Sequence, residues 1–162
     1  MSTAMNKSDE DFERWMKVAV EIAVEGVASG ESPFGAVIVD ANDKAIACVP
    51  NRVNTTHNPT AHAETTAIAE ACQKRGTLQL NDCILYATGE PCPMCVAAAA
   101  MAGIATIVFG ASERVIRLAG YQTFGLTARQ FLAATDSGIK IIGPLLEAEC
   151  TALLLNHPKD SI

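Results

Sequence analysis

His62-Ala63-Glu64, followed down the chain by Pro91-Cys92-Pro93-Met94-Cys95, constrains this sequence more than any other feature. One imidazole and two thiols offer three metal ligands from two separate stretches. A fold that uses them must bring those stretches face to face. Three ligands leave the fourth tetrahedral position of a Zn²⁺ ion open to water, whereas a closed structural site wants a fourth Cys or His. Glu64 stands beside the ligands without being needed as one. That suits a carboxylate that carries protons.

Each part is weak by itself. A lone C-x-x-C is equally a redox pair, a structural thiol pair or chance. A His near a helix start is commonly structural or solvated. A Glu in a first turn commonly just complements the helix dipole. The three together, with the right layout between them, are separate requirements met at once.

That layout is legible from patterning. Ser8-Asp9-Glu10-Asp11 reads as a helix start with Ser8 as N-cap and acids in the first turn. Phe12, Met16, Ala19, Ala23 and Val27 form one helical stripe, and Gly30 ends it. Residues 34–40 read as a strand, Asn42-Asp43 as a turn, and residues 44–49 as the returning strand of a hairpin. Asn51 to Pro59 reads as a polar loop. Residues 61–75 read as a helix closed by Gly76, with Ala67, Ile68, Ala71 and Cys72 inward. Strands are expected over 83–88, 104–109 and 139–142, and helices over 93–102 and 145–155. Pro93 suits a first helical turn, and Gly103 an end. Strands alternating with helices imply a single α/β domain over residues 1–162, a three-layer α/β/α sandwich. Its five-stranded mixed sheet would carry helices on both faces. The long segment between the last two strands favours a crossover helix and parallel pairing. His62 with Glu64, and Cys92 with Cys95, then fall at the starts of two helices. Orphan N–H groups and positive dipole ends there favour thiolate over thiol.

Composition narrows the functions. At 162 residues and 49% hydrophobic, the chain has material for one real core. A net charge of −6 and the absence of any Lys/Arg run argue against phosphate-tracking surfaces, so nucleic acid is not an expected partner. The polar start, Met1 to Lys7, is unlike a signal peptide, and no apolar run approaches a membrane span. A cytoplasmic protein is expected, and the six cysteines read as ligands plus buried thiols, not disulfides. Cys48, Cys72, Cys83 and Cys150 are expected to be buried. His57 is expected in a solvated loop or at substrate, His157 exposed, and Trp15 packed on its helix.

The motif pair also matches the H-x-E and P-C-x-x-C signature of zinc deaminases. The chain resembles the cytidine and deoxycytidylate deaminase superfamily, and within it the short bacterial guanine deaminases. The likeness runs from about Gly26 to about Phe109. It takes in residues 33–39 (Pro-Phe-Gly-Ala-Val-Ile-Val), Asn51, residues 58–64, residues 78–86 and residues 90–95. The resemblance implies a cytidine-deaminase-like fold and one Zn²⁺ per chain, held by His62, Cys92 and Cys95. It implies Glu64 as the catalytic proton carrier, and a homodimer. It also implies that Asn51 hydrogen-bonds the base and Phe34 packs on its ring, with main chain near Ala63 and Glu90 touching substrate. Asn51 as a turn residue and Phe34 as core are the competing readings. The implied activity is hydrolytic deamination of a free nucleobase or similar aminated N-heterocycle, with guanine the leading single candidate.

Past Phe109 the chain departs from the guanine-deaminase pattern. Those relatives carry acids that read the base's amidine edge, where this chain has Gln122 and Thr123 after Gly120-Tyr121. Guanine presents N–H donors there, so a different aminated heterocycle stays open. Tyr121, Phe124 and Phe131 are expected either on the pocket or in packing. Residues 107–111 and 147–150 look more like tRNA adenosine deaminases, which makes tRNA A-to-I deamination an alternative. A catalytically silent zinc-stabilised interaction domain and a thiol oxidoreductase on Cys92 and Cys95 are the others. Glu64 argues against the silent domain.

Overall fold

The computed structural model describes residues 7–159. The polar segment Met1 to Asn6 lies outside the described residues. Helix α1 (Asp9–Ala28) starts as the sequence asks: Ser8 accepts from the Asp11 N–H, and Asp11 returns a bond to the Ser8 N–H. This reciprocal cap satisfies two orphan donors. Met16, Ala19 and Ala23 are fully buried, as the stripe requires.

Strands β1 (Gly35–Val39) and β2 (Ala45–Pro50) form the hairpin. The short helix α2 (Val53–Thr56) interrupts what reads as loop in the sequence. Helix α3 (Ala63–Arg75) begins two residues later than its pattern suggests, because His62 is its extended N-cap; Gly76 closes it at φ 63°. Then come β3 (Ile84–Gly89), α4 (Pro93–Met101) and β4 (Thr106–Ala111). Two six-residue helices follow, α5 (Glu113–Leu118) and α6 (Ala128–Ala133), and β5 (Lys140–Ile142) and α7 (Glu147–Asn156) close the chain. The expected single crossover helix is therefore two short ones. The parallel pairing it was expected to allow, β4 with β5, is present.

The sheet order is β2-β1-β3-β4-β5. β1 pairs antiparallel with β2 and β3, while β3, β4 and β5 run parallel, so the sheet is mixed as expected. Its two faces bury separate clusters. Ala36, Ile38, Leu85 and Ile107 pack with Ala67, Ala71 and Ala99, from α3 and α4. Val37, Val39, Tyr86 and Val108 pack on the other side with Met16, Ala19 and Leu154, from α1 and α7. All five residues of β1 are buried because helices cover both faces, which is why its sequence is an unbroken apolar run. A fully buried Ile38 or Leu85 contributes about 1.5–3 kcal/mol by removal from water. Gly35 lets α1 lie directly on β1: a Cβ there would press into the Ala19 carbonyl and the Ala23 nitrogen.

Cys83 and Cys150 are buried, but Cys72 is half-buried and Cys48 is exposed, which corrects the expectation for those two. β2 is an edge strand. Its Ala47 and Val49 join the α3 side, so the alternate position, Cys48, falls on the opposite face, where nothing seals it. Trp15 does more than pack: its indole N–H donates to Asp43 Oδ1 at 2.7 Å. No helix among the described residues is long and apolar enough to cross a membrane.

Candidate active site

Two helix N-caps define the centre. His62 caps α3 and Cys92 caps α4, both in extended backbone, and neither side chain bonds its own helix. His and Cys are poor capping side chains. Here they turn to each other instead, joined by Cys95 at the third position of α4. Cys92 Sγ lies 3.7 Å from His62 Nδ1, Cys95 Sγ lies 3.5 Å from the same nitrogen, and the sulfurs are 3.7 Å apart. Bonds of about 2.3 Å to sulfur and about 2.0 Å to nitrogen give tetrahedral edges of about 3.8 Å between sulfurs and about 3.5 Å from sulfur to nitrogen. The triangle therefore fits zinc. It is the one His/Cys/Asp/Glu cluster among the described residues whose donor atoms converge in this way.

The electrostatics suit a cation. The contact with the Cys95 sulfur, with that of His62, outweighs burial and holds the Cys92 thiol down at about 4. The same contact, with burial and the nearby Glu64 carboxylate, pushes Cys95 well up. His62 is raised by its bond to Cys92 despite burial. Burial also raises the Glu64 carboxyl, an effect that the charge on His62 only partly offsets. A raised carboxyl is one that can both take and return a proton.

This centre opens onto a cavity of about 600 Å³. Glu64, His62 and Cys92 lie at its floor, with Asn51 and Phe34 on the wall. Asn51 is buried, and its side-chain carbonyl accepts the Val53 N–H at 3.0 Å. The turn reading of Asn51 is thus met by its oxygen, leaving its –NH₂ as the end that can donate into the cavity. Phe34 touches both hydrophobic clusters and meets Tyr121 edge-on, ring centres 5.1 Å apart, so it is core and wall at once. Tyr121, Gln122, Thr123 and Phe124 all line the cavity; Phe131 does not. Ala63 is fully buried at the first position of α3 and is absent from the wall. His57 is exposed in a left-handed conformation away from the cavity, and His157 is exposed.

Two buried carboxylate side chains, to which the sequence reading gave no role, hold the walls in place. Glu31 accepts the N–H groups of Asn54 and Thr55 at 3.1 and 2.7 Å, tying α2 to the end of α1. Glu90 accepts the N–H of Glu113 at 2.7 Å on one oxygen and that of Ala128 at 2.8 Å on the other. It pins the starts of α5 and α6, and with them the intervening wall, to the residue next to Pro91-Cys92. Its position directly before the cysteine motif was the available signal; its partners, far along the chain, left none.

An α/β/α sandwich with a His/Cys/Cys centre and a buried Glu beside it defines the zinc-dependent deaminases, hydrolases of C–N bonds. Comparison with known proteins agrees. Residues 9–111 match the cytidine and deoxycytidylate deaminase zinc-binding region, and the chain belongs to that family. The guanine deaminase of Bacillus subtilis (strain 168) is 46% identical over 112 residues, covering 68% of this chain and 71% of that protein. The tRNA-specific adenosine deaminase of the same organism is 35% identical over 142 residues, 88% of this chain and 85% of that one. The solved guanine deaminase of Nitrosomonas europaea superposes with a TM-score of 0.79 at 25% identity, covering 90% of this chain and 83% of that one.

Proposed function

We propose that the chain hydrolytically deaminates a free nucleobase or similar aminated N-heterocycle, with guanine the leading single candidate. The observation that carries this is the zinc-fitting triangle with buried Glu64 at the floor of a cavity sized for a small ligand. One zinc per chain is held by His62, Cys92 and Cys95; when bound, it lowers the pKa of a water molecule to about 7 and so makes it nucleophilic at neutral pH. Glu64 takes one proton from the attacking water on its carboxylate and gives it to the ring nitrogen; it then takes the second proton, from the hydroxyl now on the carbon, and gives it to the amine as the C–N bond breaks and the C=O forms. Asn51 donates from its amide –NH₂ to an acceptor on the base. Phe34, steadied by Tyr121, offers the ring face. Ala63 contributes through its main-chain N–H at the start of α3. The similarity to guanine deaminases supports a small-base substrate.

tRNA adenosine deamination is the second reading, favoured by the match to the tRNA-specific enzyme over 88% of this chain. The net charge of −6 weighs against it. An ammonia-release screen of zinc-loaded protein decides between them. Guanine, cytosine, adenine, their nucleosides, creatinine, aminated triazines and tRNA form the panel. Release from a free base is the expected result, and release from tRNA alone would overturn it. Elemental analysis should find one zinc per chain, and size-exclusion chromatography with light scattering should find a homodimer.

A further inference from the structure

We propose that residues 122–126 form a lid over the cavity, and that Phe124, carried on this lid, is a substrate-contact residue that packs on the bound base. This rests on the reading of the cavity as a base-deaminase site. Phe124 and Leu126 both line the cavity, yet they stand 62% and 43% exposed. One exposed apolar side chain is ordinary. Two on the wall of a single cavity, with the metal centre at its floor, offer accessible apolar surface to whatever the cavity holds. Of the three aromatic side chains on that wall, Phe34 and Tyr121 already meet edge-on, and the Tyr121 hydroxyl is held by the His157 carbonyl at 2.6 Å. Phe124 meets no ring among the described residues. A planar base offers a ring face that an aromatic side chain covers well.

The backbone that carries Phe124 is held only at its ends. Among the described residues, none of 122–126 donates or accepts a hydrogen bond, through main chain or side chain. On one side the Tyr121 N–H donates to the Ile116 carbonyl at 3.2 Å. On the other, the Thr127–Gln130 capping box and the Ala128 N–H bond to Glu90 fix the start of α6. Between them Gly125 takes a left-handed conformation, φ 70°, in open space. A run without internal hydrogen bonds moves at little free-energy cost, and such runs between fixed ends are where active-site lids are found. With a base bound, closure removes the Phe124 and Leu126 surface from water and excludes water from the reacting centre. Without one, closure has no ring to cover, so the base itself shifts the lid toward its closed position.

Two measurements on the zinc-loaded protein test this. The first is steady-state kinetics on the aminated base that wild type turns over best, in wild-type, Phe124→Ala, Phe124→Tyr and Leu118→Ala proteins. Phe124→Ala should raise KM about tenfold and leave kcat within about twofold. Phe124→Tyr keeps the ring and should stay near wild type. Leu118 is 68% exposed on α5 and is absent from the cavity wall, so Leu118→Ala should change neither constant. Thermal unfolding of each variant checks that fold is retained. The second is chymotrypsin cleavage of the Phe124–Gly125 bond, read by mass spectrometry in Glu64→Gln protein, with and without the same base at saturation. Cleavage should be fast without the base and strongly slowed with it. An unchanged KM in Phe124→Ala, an equal rise in Leu118→Ala, or equal cleavage with and without base would each overturn the assignment while leaving the deaminase reading intact. Protection that follows protein concentration and not the base would place Phe124 between two copies of the chain, and would overturn it too. No ammonia release from any aminated base by wild type would overturn the deaminase reading, and this proposal with it.

Discussion

At the scale of single residues, burial sets the chemistry. Glu64 sits at the second position of α3, buried on the cavity lining, with its carboxyl raised by that burial. Glu64→Gln keeps shape and hydrogen bonding but cannot move a proton. The variant should retain zinc and fold, and lose at least about 10²-fold in turnover. Near-normal ammonia release from zinc-loaded Glu64→Gln would show that another group carries the proton. Asp43 illustrates the structural use of a carboxylate. Burial opposes its charge, but bonds from Lys7, Trp15 and Arg14 outweigh that and bring its carboxyl down to about 2 from the usual 3.8. Because the folded value is depressed, its stabilisation is complete above about pH 4 and is lost as pH falls through about 2. Its side chain is 37% exposed, so solvent screening limits the contribution to about 1 kcal/mol. Asp43→Asn should therefore be less stable to urea at pH 7 by that amount, and the gap should close toward pH 2.

At the scale of elements, the active-site walls depend on tethers more than on the sheet. Helices α2, α5 and α6 have at most six residues each and cannot hold their positions by helix propensity. Glu31 and Glu90 anchor them through buried carboxylate-to-amide bonds. Glu90→Gln keeps one acceptor and turns an –NH₂ toward the other N–H. That mismatch should cost about 1–3 kcal/mol in stability. Because the wall between α5 and α6 carries Tyr121, Gln122 and Thr123, KM should rise more than kcat falls. Equal loss in both terms, with stability unchanged, would show that Glu90 acts on the chemistry instead. The long elements were legible because their signals are local. The Ser8 cap, the Met16–Ala19–Ala23 stripe and the Gly76 stop each operate within a turn or two of chain. Helix α2 was not, because four polar-flanked residues carry no periodicity, and the group that holds them is Glu31, across the fold.

At the scale of the whole molecule, charge separates the two substrate classes. A net −6 repels an RNA backbone, so specificity constants at physiological salt should favour a free base over tRNA. A clear preference for tRNA, falling steeply with added salt, would reverse the assignment. The sequence by itself determined the alternation of strands and helices, the sheet's two buried faces, and the residue types gathered at the candidate metal centre. His62, Cys92 and Cys95 carry their chemistry in their identity, and each N-cap position is set by the few residues that follow it. Only the tertiary structure decided the pocket. Which wall Asn51 lines, whether Cys48 is buried, and where Glu90 finds its partners all depend on residues brought together from distant parts of the chain. Hydrogen-bond satisfaction of a buried polar group is a property of its surroundings in space, and the linear spacing of residues does not encode it.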